Sequence, residues 1–204
     1  MDTSLASNFP DLATMLIGIG KVIPSIIMLM QVAAMAMGMY LTIGALVELW
    51  GANNDNLSKH ISSQRAYSTT GGVIQLLIGA LLLSVGTLEF VGVLSRSLTG
   101  DYAAVRMTAD TLSYTPGPSS TAQEKALAVT LALLALLQAM GFVAIVKGLM
   151  GINRYYKQSA AAASFGTSLT WLLGGVLAWN FKWFSDVINN TVGFNFISLF
   201  SSLK

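Results

Sequence analysis

Charged side chains divide this chain into long stretches that contain none. A helix needs about 20 apolar residues to cross roughly 30 Å of hydrocarbon, and four runs meet that need. The first covers 22–47, between Lys21 and Glu48, with Trp50 at its edge as an interfacial anchor. It is longer than a bilayer requires, which predicts tilt or a bend near Pro24. The second covers 69–88, between Arg65 and Glu89, and the third covers 126–146, between Lys125 and Lys147. The fourth is placed at 165–181, where Trp171, Trp179 and Trp183 mark interfaces and Lys182 ends the run. Two flanking segments are too short or too polar to span. These are 12–20, preceded by Pro10 at a helix-start position and read as an interfacial helix or a lead-in to the first span, and 185–204, read as a short interfacial helix. The expected fold is therefore an all-α membrane protein. Residues 1–204 form one domain with about four transmembrane helices in two tandem hairpins and short interfacial helices at both ends. A polar loop over 91–125 joins the hairpins.

Composition supports that placement. Hydrophobic residues make up 54% of the 204 and charged residues only 10%, with a mean hydropathy of +0.66. A soluble domain carries about 25% charged residues; with so few, the chain cannot coat a water-facing surface, whereas a bilayer requires an apolar exterior. The net charge of +2, with Lys and Arg scattered among acids, makes no basic face, so direct nucleic-acid binding is not expected. Cysteine is absent, which excludes disulfides and thiolate metal sites. No cation precedes Lys21, so the N-terminus lacks the positive region of a cleavable signal peptide and the first span is expected to remain as an anchor.

Lys and Arg counts nearly balance across the membrane, five on one side and six on the other. The compact loop over 151–163, with Arg154 and Lys157 beside Lys147 and no acid, decides the orientation by the positive-inside rule. It is placed in the cytoplasm with the 51–68 loop. Both termini and the turn-rich segment around Pro116, Gly117 and Pro118 then lie outside.

An internal echo runs through the spans. Ala36, Met37 and Gly38 recur as Ala139, Met140 and Gly141, and Leu46 falls opposite Leu149. Gly71 pairs with Gly166 and Gly79 with Gly174 at one spacing. Two hairpins running in parallel explain both matches, and so does the general likeness of Gly-rich apolar helices. Small residues let helix backbones approach where lipid removes the hydrophobic drive. Ala34, Gly38, Gly79, Gly141, Gly148, Gly174 and Gly175 are the candidates, within one chain or between subunits. Gln31, Gln75 and Gln138 are the candidate buried polar residues, either as interhelical hydrogen-bond partners or as the lining of a polar path. Glu48, Glu89 and Lys147, near span ends, read as interface residues.

Nothing points to an active site. The one histidine, His60, has Ser62 and Ser63 nearby but no carboxylate closer than Asp55, and a nucleophile needs an oriented base and a positioned third group. Protease, hydrolase and nucleotide-binding spacings are missing. No enzyme activity, metal or cofactor is expected.

The Met- and Gly-rich spans, the repeated Ala-Met-Gly and the central SYTPGPSS loop resemble the small inner-membrane proteins of type IVB secretion and conjugation systems. The likeness is to the DotE/IcmC family and its TraQ-like relatives on IncI-type conjugative plasmids. It implies a multi-pass protein of the bacterial inner membrane with periplasmic termini. Its partners are then membrane lipid and other apparatus proteins, with a homo-oligomer as a further possibility, and no catalytic residue carries over. A structural subunit of the apparatus, a pilin-like or channel-forming subunit, and a small-molecule transporter are the competing roles.

Overall fold

The computed structural model describes residues 12–53, 68–100, 121–158 and 164–192. Among these there are six helices and no strand. They are α1 (Leu12–Ala52), α2 (Thr69–Gly86), α3 (Glu89–Thr99), α4 (Ala122–Gln158), α5 (Phe165–Trp179) and α6 (Phe181–Val192). Three of them, α1, α2 and α4, are long and apolar enough to cross a membrane. At a rise of 1.5 Å per residue α1 is about 60 Å long and α4 about 55 Å, roughly twice a bilayer's hydrocarbon thickness. α5 is equally apolar but has 15 residues.

The surface matches a lipid environment. Leu29 is 71% exposed and Tyr40 77%, and the outer face of α1 carries further exposed apolar residues along its whole length. A water-soluble monomer rarely presents so continuous an apolar surface. The interior is built from the opposite faces: Ile27, Ala34 and Ala45 of α1, Leu82 and Val85 of α2, and Ala135, Phe142, Ile145 and Leu149 of α4.

Local chemistry sets the helix ends. The Ser68 hydroxyl accepts a hydrogen bond from the Gly71 amide at 3.3 Å and caps α2. At α4, Thr121 and Glu124 form a reciprocal capping box: the Thr121 amide donates to Glu124 Oε2 at 3.0 Å and the Glu124 amide to Thr121 Oγ1 at 3.3 Å. α3 ends at Gly100, in the left-handed region at φ 73°, where its amide donates to the Arg96 carbonyl.

Several boundaries differ from those read in the sequence. The 12–20 segment is the first part of α1, a lead-in to the first span and not a separate interfacial helix. α1 also continues through Pro24, whose missing N–H leaves the Gly20 carbonyl without its usual intrahelical donor. The run expected over 69–88 stops at Gly86, because Leu88 adopts a left-handed φ of 66° and turns the chain into α3. The polar loop expected from 91 therefore begins with helix: Val91 and Ser95 are buried on one face of a segment with a clear 3.6-residue pattern. α4 outruns the 126–146 span at both ends and absorbs Lys147, Arg154 and Lys157. The 165–181 run breaks at Asn180, and α6 starts four residues before the interfacial segment expected at 185. Pro10, His60, the 101–120 turn segment and the 193–204 end lie outside the described residues.

Packing fixes the relative directions. Gly38 meets Gly79 and Leu83, while Gly72 meets Leu49, so α1 and α2 are antiparallel. Gly141 meets Gly175 and Trp179, while Gly148 meets Ser168 and Leu172, so α4 and α5 are antiparallel as well. α1 and α4 lie side by side in the same direction: Gly20 touches Ala132 near their starts, and Glu48 pairs with Lys157 near their ends. α3 touches α2 and α5, and α6 touches α4 and α5.

Candidate functional site

The densest feature of the molecule is a pair of backbone crossings. A Cβ added to Gly38 would sit 2.9 Å from the Gly79 carbonyl oxygen and 2.8 Å from the Leu83 nitrogen. One added to Gly141 would sit 2.7 Å from the Gly175 carbonyl oxygen and 2.8 Å from the Trp179 nitrogen. The reverse views agree. Gly79 faces the Gly38 carbonyl and the Thr42 nitrogen; Gly175 faces the Gly141 carbonyl and the Ile145 nitrogen. Neighbouring backbone cannot yield as a side chain can, so each position requires glycine for approach, and dispersion contacts replace the hydrophobic drive that lipid removes. Thr42 lies at the first crossing with its hydroxyl bonded to the Gly38 carbonyl at 2.8 Å, so it brings no unpaired polar group into the contact.

Of the seven packing candidates, Ala34 is fully buried and Gly38, Gly79, Gly141, Gly148 and Gly175 lie at helix contacts. Gly174 does not. It is exposed with open space around it, and its neighbour Gly175 occupies the crossing. The structural counterpart of Gly79 is therefore Gly175, one residue beyond the sequence match to Gly174.

Gln31, Gln75 and Gln138 are all buried, on three different helices. Gln75 points its amide nitrogen at Gly44 of α1, and its Oε1 has no hydrogen-bond partner among the described residues. Asn153 Oδ1 of α4 is in the same condition. Two polar residues that the sequence reading missed make the best-defined buried bond: Asn180 Nδ2 donates to Ser95 Oγ at 2.8 Å and also to the Val176 carbonyl at 2.9 Å. This joins the break between α5 and α6 to α3 of the first half. An Asn interrupting an otherwise apolar Trp-rich run was the available signal, since Asn competes with the helix for backbone hydrogen bonds.

The ends of the bundle carry the charge. Lys157 Nζ lies 2.8 Å from Glu48 Oε2, joining α4 to α1 with both side chains mostly covered. Lys147 reaches no carboxylate among the described residues. Its ammonium stands 3.7 Å above the centre of the Trp171 ring, a cation–π contact across α4 and α5. Beyond it, Tyr155, Tyr156 and Phe165 form an aromatic cluster with ring centres 5.1–6.5 Å apart. Chemically the arrangement holds helices together at this end of the bundle. Among the described residues no three His, Asp or Glu side chains converge as metal ligands.

No family model, no curated protein and no solved structure matches the chain.

Proposed function

We propose that this protein is a non-enzymatic structural component of a bacterial inner-membrane conjugation or type IVB secretion apparatus. Its four apolar helices cross the membrane as two tandem hairpins, α1–α2 and α4–α5, with both termini periplasmic. The observation that carries the reading is the investment in packing: glycine crossings, a half-buried ion pair and a buried Asn–Ser bond, with chemistry-bearing groups spent on holding helices together. α5 is short for a span, but at about 22 Å it crosses with modest local thinning of the bilayer. α3 and α6 then lie along the membrane surface, a placement that suits their one-sided apolar patterns. The assignment to a secretion or conjugation machine rests on the family resemblance. Affinity purification of the tagged chain from detergent-solubilised membranes of its own host tests it. Co-purification of other membrane subunits of such an apparatus supports the reading, and a chain that elutes alone sinks it.

The second reading is a homo-oligomer, pilin-like or channel-forming. It is favoured by Gly166, Thr170 and Gly174, which sit four residues apart on an exposed face of α5 that meets no other helix among the described residues. Mass determination in mild detergent separates the two readings. A defined multimer dispersed by Gly174→Leu supports the second, and a monomer removes it.

A further inference from the structure

We propose that the outer face of α4 and α5 at the Lys147–Arg154 end is a binding site for an anionic phospholipid. The inference needs the membrane placement but is independent of the apparatus reading. Met140, Val143, Lys147 and Arg154 follow one another at spacings of three, four and seven residues, so they share one stripe of α4. All four are exposed. The stripe changes chemistry along its length: Met140, 63% exposed, and Val143, 49% exposed, are apolar, and beyond them the exposed positions are the cations Lys147 and Arg154, with the partly buried Met150 and Gly151 between. A phospholipid has the same polarity in the same order, with an acyl chain leading to a phosphate.

Charge on this end is unbalanced. Among its described residues Glu48 is the one carboxylate, and it is engaged by Lys157. Glu89, Glu124 and Asp186 all belong to the opposite end. Lys147 thus sits on a lipid-facing surface with an aromatic ring as its counter-group, and the ring face offers partial negative charge but no hydrogen-bond acceptor. Its three ammonium donors call for oxygen. Lys147 and Arg154 lie about 10 Å apart along the helix axis, and both side chains are long and flexible enough to converge on one phosphate group between them. The Trp171 ring, 42% exposed, walls the site on the α5 side at the depth where amphipathic aromatics settle. Arg154 supplies bidentate geometry for the phosphate and Lys147 a point charge.

The test is native mass spectrometry of the full chain released from mixed micelles holding equal phosphatidylglycerol and phosphatidylcholine. The wild type should retain phosphatidylglycerol preferentially. Lys147→Gln and Arg154→Gln should each lower that preference about fivefold, and the double variant about thirtyfold, at about one kcal/mol per cation near the surface. Lys125→Gln, at the other end, should leave it unchanged. Unaltered thermal unfolding of the variants ensures that the loss is local. Equal retention of the two lipids by the wild type overturns the proposal, as does equal loss with Lys125→Gln. If millimolar inorganic phosphate displaces the lipid, the site recognises free phosphate and the lipid assignment fails. If an acidic polypeptide is retained in the lipid's place, the occupant is a protein and the assignment fails equally.

Discussion

The hairpin α1–α2 and the hairpin α4–α5 solve the same packing problem with different side chains. Adding 103 to Gly38 and Thr42 gives Gly141 and Ile145; adding 96 to Gly79 and Leu83 gives Gly175 and Trp179. Both sets make the same four backbone approaches. One level further out, the correspondence persists in position and fails in chemistry. Gly44 receives the amide of Gln75 in the first hairpin, whereas at the equivalent level of the second Lys147 stacks on Trp171. Backbone contact at the crossing admits no side chain larger than hydrogen, while the next turn is free to become a buried amide or an exposed cation. The hairpins also end differently. Leu88, with its strained left-handed φ of 66°, turns the first, and Asn180, bonded through its side chain, turns the second.

Glycine-to-leucine exchange at the crossings breaks this comparison most forcefully. Gly141→Leu and Gly175→Leu should each destabilise the protein by about 3 kcal/mol or prevent folding, and Gly38→Leu and Gly79→Leu should do the same. Gly174→Leu, in open space, should stay within about 0.5 kcal/mol. Unfolding of the detergent-solubilised chain measures all five, and tolerance in one hairpin alone would end the equivalence.

The helix breaks give a smaller effect. Asn180→Leu removes the bond to Ser95 and the second bond to Val176, and should cost about 1 kcal/mol. Hydrogen exchange should quicken in both α3 and α6, because the bond joins the break to α3; acceleration in α6 alone would show that it does not couple the two halves. The ion pair gives the smallest. Glu48→Gln should cost at most about 1 kcal/mol, and the loss should shrink as salt is raised. A large, salt-independent loss would mean that Glu48 holds a buried contact other than Lys157.

The sequence made the apolar helices legible because their signal is collective: some twenty uncharged positions in a row outweigh any single residue. The same averaging hid the breaks. Leu88 and Asn180 each end a helix through one residue's backbone geometry or side-chain bond, which a window of apolar character passes over. The α4 start at Thr121 carried a readable capping box with Glu124 that the charge-free run concealed, since helix formation does not stop where lipid does. Glycine spacing found the crossings but slipped from Gly175 to Gly174, because adjacent helical residues point about 100° apart and spacing alone does not choose between them. Ser95 looked like loop until Asn180 was seen beside it, 85 positions away in the chain. Lys147 read as a snorkelling end residue; its partner, Trp171, belongs to another helix and no local pattern links them.

The proposed arrangement of four crossings in two parallel hairpins makes a statement about sides of the membrane, and the absence of native cysteine makes it directly measurable. Single cysteines at Ser58, Ser119, Ser159 and Ser202 should be probed in intact cells with a membrane-impermeant thiol reagent. Labelling of Ser119→Cys and Ser202→Cys, with Ser58→Cys and Ser159→Cys protected until the membrane is opened, is the predicted result. If Ser202→Cys instead behaves as Ser159→Cys does, α5 fails to cross and the chain has three spans.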